Sequence, residues 1–370
     1  MPVLDSTSNL ERPADRETLV SVVVPTFNRA ELLRSALRSV QAQSWTDLEV
    51  VVVDDGSTDE TQSVVASMSA ADNRIRYLRQ PNGGVSAARN TALANCRGAM
   101  IAFLDSDDAW HPTKLATQVE VLRALPAVGM VWSDMNAVDV QGRIVHCNYL
   151  QRMYKGYRRL AQGQLFPESA PLQDVVPQID PALAGVKLSW GPIYSHMLYG
   201  NLVHTSTVVL RRERAAAVGL FDESMKAGGE DYKFHLATTR LGAVAFLDQA
   251  TIDYRIGGAD QITNLKNQVH FATAFLKTLE EQIAHHRPEL QLTDRELDRI
   301  RAEAHDWLAA ALIEGGQRRL AAAHALKAIR QRPATRNSWK TLAKTMLPRT
   351  AVELVRAARR LRSDASVASM

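Results

Sequence analysis

The chain has 370 residues, 46% of them hydrophobic and 23% charged, with a formal net charge of only +4; this suits a soluble protein of about two domains and implies no nucleic-acid partner. Two cysteines, Cys96 and Cys147, lack metal-type spacing and exclude a disulfide framework or a zinc site. Residues 1–17 lack a basic-then-apolar leader and read as a disordered lead-in, and no apolar run approaches the roughly 18–20 residues that span a bilayer, so a cytoplasmic location is the default expectation.

Residues 19–24 are a β-branched run ended by Pro25. Helical spacing follows over 30–43, with Leu33, Ala36, Leu37 and Val40 on one face. A second apolar run, 48–53, stops on Asp54-Asp55-Gly56-Ser57. Runs of this kind suit strands buried on both faces of a parallel sheet. The pattern then predicts a helix over 59–69, a strand at 75–78, a helix over 85–96 opened by Asn82-Gly83-Gly84, and a strand over 99–104. Such alternation calls for an α/β fold, a mostly parallel sheet sandwiched by helices with right-handed crossovers. A helix over 112–125 has Pro112 in its first turn. Strands are predicted at 128–133 and 205–210, helices at 212–218 and 230–241, and a variable insertion over 146–190.

From residue 265 the strand signals vanish. Helices are predicted over 265–286, 294–314, 317–331 and 335–347, punctuated by Pro288, Gly315-Gly316, Pro333 and Pro348. Residues 349–362 form a basic amphipathic stretch with Ala351, Leu354, Val355 and Ala358 on one side. Packing on the helical region is the first reading of it; peripheral attachment to the inner face of a membrane is the second. The division expected is an α/β domain over 18–262, a helical region over 263–362 and a disordered tail over 363–370.

The apolar run 100–104 ends on Asp105, Asp107 and Asp108. Neighbouring carboxylates raise each other's pKa unless a cation shares the site. The Asp-x-Asp spacing of Asp105 and Asp107 turns both side chains to one face of extended backbone, where a hard cation can sit. A solvated acidic turn or helix cap is the competing reading. In an open α/β sheet ligands bind beyond the carboxyl ends of the strands, and two such ends here carry acids. A strand-end aspartate can accept hydrogen bonds from a base or ribose. An Asp-x-Asp pair can hold a cation against a pyrophosphate and so stabilise a departing nucleoside diphosphate. Asp54 and Asp55 also suit a turn and cap ahead of Ser57 and Thr58. The first turn, Pro25-Thr26-Phe27-Asn28-Arg29, contains no glycine. That excludes a dinucleotide-binding fingerprint and a P-loop, and counts against a sugar nucleotidyltransferase.

The runs VSVVVPTFNRAELLRSALRSVQAQSWTDLEVVVVDDGSTDET and NGGVSAARNTALANCRGAMIAFLDSDDAWHP resemble a family 2 glycosyltransferase with the GT-A fold, and the resemblance extends over roughly residues 19–260. It implies an inverting, metal-dependent, hexosyltransferase-type enzyme of bacterial-type surface polysaccharide synthesis. The donor would be a UDP-, GDP- or dTDP-linked sugar, the acceptor a glycan or a lipid-linked glycan, and the cofactor Mn²⁺ or Mg²⁺. By position, Pro25, Thr26 and Asn28 would line the nucleotide pocket, Asp55 would face the base with Asp54 adjacent, and Asp105 would meet ribose or metal. Asp107 would hold the metal. Gly84, with Gly83, and Arg89 would shape the loop near the diphosphate. Asp231 would be the catalytic base, with Glu230 orienting the acceptor. His204 and Trp110 would lie on the acceptor side, Trp110 bordering the donor sugar. Arg255 would meet a phosphate, while Gly257 stands where the family often has histidine. A sugar nucleotidyltransferase and a non-catalytic carbohydrate-binding protein are the alternatives; the presence of both Asp107 and Asp231 argues against the latter.

Overall fold

The computed structural model describes residues 16–160, 165–258 and 267–346. The chain divides into two compact units, Met1–Ile262 and Thr263–Met370. Most of the lead-in, the basic stretch 349–362 and the tail 363–370 lie outside the described residues.

In the first unit the valine-rich runs become β1 (Arg16–Thr26) and β2 (Leu48–Asp54). Every residue of β2 is buried, as a continuous apolar run requires of a central parallel strand. Between them α1 (Ala30–Gln41) buries Leu33, Ala36, Leu37 and Val40. The alternation continues through α2 (Thr61–Ala71), β3 (Ile75–Arg79), α3 (Val85–Asn95), β4 (Gly98–Phe103), β5 (Ala109–Trp110), α4 (Lys114–Ala124), β6 (Met130–Val138) and β7 (Ile144–His146). The insertion holds α5 (Leu150–Met153), α6 (Lys155–Arg159), β8 (Glu168–Pro171), α7 (Leu172–Val175) and β9 (Lys187–Gly191). Then come α8 (Tyr194–Met197), β10 (Val209–Arg211), α9 (Arg212–Val218), α10 (Glu230–Arg240) and β11 (Val244–Arg255).

The strand order is β3-β2-β1-β4-β10-β6-β11-β9-β8, with β5 beside β11 and β7 beside β6. Strands β1 to β4 pair in parallel, as do β6 and β11, whereas β10 runs antiparallel between β4 and β6. Register sets Thr26 beside Asp54 and Val23 beside Phe103. The ends of β1, β2 and β4 therefore open on one edge, where the acidic turns lie.

Strands β5, β7, β8 and β9 were not predicted, and two further departures have a local reason. Residues 205–207 form a 3₁₀ turn rather than strand, because the Thr207 hydroxyl and N–H both donate to the His204 carbonyl. The twelve-residue β11 has no clean period in sequence, since its pairing with β6 shifts register around Ala250 and Asp248, Gln249 and Asp253 break its apolar run.

The backbones of β1 and β4 meet closely at Gly98, whose N–H donates to Ser21 Oγ at 2.8 Å. A Cβ there would lie 2.8 Å from the Ser21 nitrogen and closer still to the Leu19 carbonyl. Neither backbone atom can move without breaking the ladder. Gly98→Ala is expected to cost about 1–3 kcal/mol, read as a lower denaturant midpoint with an unchanged slope; an unchanged midpoint would contradict this packing.

The second unit consists of α11 (Gln268–His286), α12 (Asp294–Glu314), α13 (Arg318–Gln331) and α14 (Arg336–Met346). Helix α12 starts at a capping box in which Thr293 Oγ1 accepts the Glu296 N–H and the Glu296 carboxylate accepts the Thr293 N–H. It turns into α13 at Gly315-Gly316, where Gly316 has φ +77°. Small buried side chains, Ala304 and Ala311 on α12 with Ala321, Ala325 and Ala328 on α13, suit the close approach of the two helices. Among the described residues no helix is long and apolar enough to cross a membrane.

Candidate active site

Pro25 and Thr26 end β1, with Thr26 Oγ1 buried and without a hydrogen-bond partner. Asn28 follows with φ +51°, a left-handed conformation that asparagine tolerates. Its side-chain oxygen accepts the Thr58 N–H at 2.8 Å, and its own N–H donates to Ser57 Oγ at 2.9 Å. Asp54 is fully buried, and its two oxygens accept the Ser57 N–H at 2.7 Å and the Tyr77 hydroxyl at 2.6 Å. It thus ties down the turn after β2. Asp55 accepts from Gln80 Nε2 at 2.8 Å and from the N–H groups of Gly83 and Gly84 at 2.9 and 2.7 Å. These bonds hold the glycine loop over the edge of the sheet, with Gly84 at φ +92° where a side chain would be strained.

Beyond β4 the backbone does not stay extended. The Asp108 N–H donates to the Asp105 carbonyl at 3.1 Å, closing a turn. The alternation rule behind the Asp-x-Asp expectation therefore does not apply. Asp107 Oδ2 lies 2.9 Å from Arg29 Nη1, while Asp105, Asp108 and His204 bring one donor atom each to within 4.8 Å of one another. The grouping able to ligate a cation thus has Asp108, not Asp107, beside Asp105. It also recruits His204, which sits 3.3 Å from Asp108 and which the sequence reading had assigned to the acceptor. Neither Asp108's part nor Arg29's was singled out from sequence; the third acid of the cluster and the base after Asn28 were the only signals.

The donor set fits a divalent cation: two carboxylates and an imidazole. Burial, then Asp108 and Asp105, push the Asp107 carboxyl up to about 7 despite Arg29. Burial alone would lower the His204 pKa, but Asp108 holds it above its ordinary value. Trp110 closes one wall, its indole N–H donating to the Ser206 carbonyl at 2.9 Å and its ring lying under Lys114 Nζ at 4.3 Å. Arg255 donates its backbone N–H to Asp108 at 3.4 Å, and its guanidinium turns to the Val140 carbonyl at 2.9 Å.

Helix α10 begins at Gly229, φ +96°, and presents Glu230 and Asp231 in its first turn. Phe234, one turn on, meets Phe103 edge-on at 5.9 Å and stacks on Phe221 at 4.1 Å. Those contacts dock α10 on the strand that carries the acidic turn. Arg89 completes the link: it is buried, with Nη2 2.8 Å from Asp105 and Nη1 3.0 Å from Glu230. Burial would raise the Asp105 pKa, but Arg89 holds it below the ordinary value. Burial and the neighbouring Asp231 push Glu230 up to about 7. Burial likewise raises Asp231, whose Oδ1 accepts the Tyr232 N–H at 2.7 Å. Glu230 Oε2 is buried and without a partner. Two reluctant carboxylates at a helix start, linked through one guanidinium to a cation-type cluster, suit proton acceptance beside a charged leaving group.

Residues 21–170 match the family model described as glycosyl transferase family 2. Over those residues the chain is similar to that family. An uncharacterized glycosyltransferase of Rickettsia prowazekii is 27% identical over 294 residues, 78% of this chain and 77% of its own. Chondroitin synthase of Escherichia coli is 33% identical over 139 residues, 38% of this chain and 20% of that protein. Among solved structures, S. aureus TarS 1-349 in complex with UDP-GlcNAc superposes with a TM-score of 0.54 at 19% identity, covering 88% of this chain and 90% of that one. The mannosyltransferase PcManGT from Pyrobaculum calidifontis, in complex with GDP-Man and Mn²⁺, gives 0.52 at 19% identity, covering 96% and 86%. The fold is GT-A, a mostly parallel sheet between helices with a helical region after it, and the similarities are to glycosyltransferases.

Proposed function

We propose that this glycosyltransferase inverts the anomeric carbon, moving a hexosyl group from a nucleoside-diphosphate sugar to a hydroxyl of a glycan or lipid-linked acceptor in surface polysaccharide synthesis. The observation that carries the reading is the ion network in which Arg89 joins Asp105, at the end of β4, to Glu230, at the start of α10. It supports a leaving-group site at Asp105 close to the helix start that carries Asp231. The acceptor O–H gives its proton to the Asp231 carboxylate as the new C–O bond forms. On the opposite face of the sugar the bond to the diphosphate breaks, and the diphosphate leaves with the electron pair. Glu230 orients the acceptor through its free oxygen. Asp105, Asp108 and His204 would hold Mn²⁺ or Mg²⁺, which supplies positive charge to the leaving diphosphate. Thr26, Asn28 and the loop held by Asp55 border the nucleoside. The complexes of TarS with UDP-GlcNAc and PcManGT with GDP-Man and Mn²⁺ support this class of donor and cofactor.

Calorimetry with UDP, GDP and dTDP tests the metal's part. One of them is expected to bind at least about tenfold more tightly with Mn²⁺ than with EDTA, a gain of roughly 1.4 kcal/mol. Asp108→Asn is expected to remove that gain. Equal affinities with Mn²⁺ and EDTA for all three would rule out a metal bridge.

A further inference from the structure

One exposed surface beside the site combines apolar and cationic groups. The hairpin of β6 and β7 leaves Val140, Ile144 and Val145 exposed at 50, 55 and 48%. From residue 140 to 167 the chain contains five arginines and lysines and no acid. Asp139 neutralises one of them, Arg143, at 2.7 Å. Arg152, Lys155 and Arg158 are exposed and pair with no carboxylate among the described residues: Arg152 rests on His146 Nδ1 at 3.0 Å, and Arg158 donates to the Arg152 carbonyl at 2.8 Å. These contacts link β7, α5 and α6. The nearby Asp248 is turned to Gln151 Nε2 at 3.3 Å.

The same face adjoins the site. Arg255 bridges the Val140 carbonyl and Asp108. Tyr149 stacks between His146 and Tyr254, and Tyr254 meets His204 at 4.8 Å.

We propose that this face is a contact surface for an anionic lipid bilayer. Val140, Ile144 and Val145 enter the headgroup boundary while Arg152, Lys155 and Arg158 meet lipid phosphates. Long cationic side chains around an apolar tip are the arrangement such an interface favours. A soluble polyanion would be met by the cations alone and has no use for three exposed aliphatic side chains. The consequence, which rests on the proposed transferase reading, is that an acceptor carried on a lipid reaches the acceptor side directly.

The full chain is to be sedimented with vesicles of phosphatidylcholine alone and of phosphatidylcholine with phosphatidylglycerol. Wild type is expected to partition onto the anionic vesicles. Ile144→Ser with Val145→Ser, and separately Arg152→Gln with Arg158→Gln, are each expected to lower that partition about tenfold or more. Because all four side chains are exposed, both variants are expected to melt like wild type and to hydrolyse donor at the wild-type rate without vesicles. Wild type failing to bind, or both variants binding like wild type, would overturn the proposal. Loss in the arginine variant alone would overturn it in favour of a soluble polyanion. None of these outcomes bears on the transferase reading, which donor turnover without lipid tests separately.

Discussion

Asp231→Asn is expected to lower turnover by about 10²–10⁴-fold, the range a positioned general base contributes, while leaving nucleotide affinity within about twofold. The amide keeps the shape of the carboxylate, and its oxygen can still accept the Tyr232 N–H that Asp231 accepts at 2.7 Å. Helix α10 therefore stays in place, and what is lost is the capacity to take a proton. The pH profile gives a second reading of the same group. The base works deprotonated, and burial raises the Asp231 pKa. The rate should accordingly climb with pH through a range above that of an ordinary aspartate. The rising limb should be absent from the residual rate of the variant. Wild-type turnover in Asp231→Asn, or an unchanged limb, would move the base elsewhere.

Arg89→Met is expected to be the most damaging single change to folding among those at the site. The guanidinium is buried, pairs with Asp105 and Glu230 at 2.8 and 3.0 Å, and lies 5.3 Å from the Phe221 ring centre. Methionine fills much of the volume but leaves two carboxylates without the charge that offsets their burial. Breaking a buried ion pair in this way costs about 3–5 kcal/mol. For a unit of this size that is a fall in Tm of about 10 °C or more. Metal-assisted nucleotide binding should weaken too, because Asp105 owes its depressed pKa to Arg89. Arg89→Lys keeps the charge but cannot fork between two carboxylates. It should recover much of the stability and little of the turnover. If Arg89→Met melted and turned over like wild type, the link between the acidic turn and α10 would be incidental.

What the sequence made legible follows from which signals are local. The valine runs of β1 and β2, the four C-terminal helices and the acids that stop β2 and β4 are all written in consecutive residues. Strand β11 was not legible, because its shifted register and its polar residues erase the period that long strands normally show. The antiparallel β10 was misplaced by a few residues for a similar reason, a hydroxyl and an N–H diverted to the His204 carbonyl.

The site shows the same division. The residue types were readable; their partners were not. Asp54 accepts from Ser57, as a turn residue does, and from Tyr77 across 23 residues. Asp55 spends both oxygens on the glycine loop. Asp107 meets Arg29 while Asp108 lies near His204, because the backbone turns between Asp105 and Asp108. His204 and Arg89 join groups 96 to 141 residues apart in sequence, a distance at which no spacing rule operates.

The most direct test follows the first-formed sugar by proton NMR, with Mn²⁺ present and water or a glycan alcohol as acceptor, across UDP-, GDP- and dTDP-linked hexoses. The expected result is that one donor is consumed, its sugar appears first as the anomer opposite to that in the donor, and Asp231→Asn suppresses this. Release of the same anomer as in the donor, or turnover untouched by Asp231→Asn, would contradict single-displacement transfer at this site.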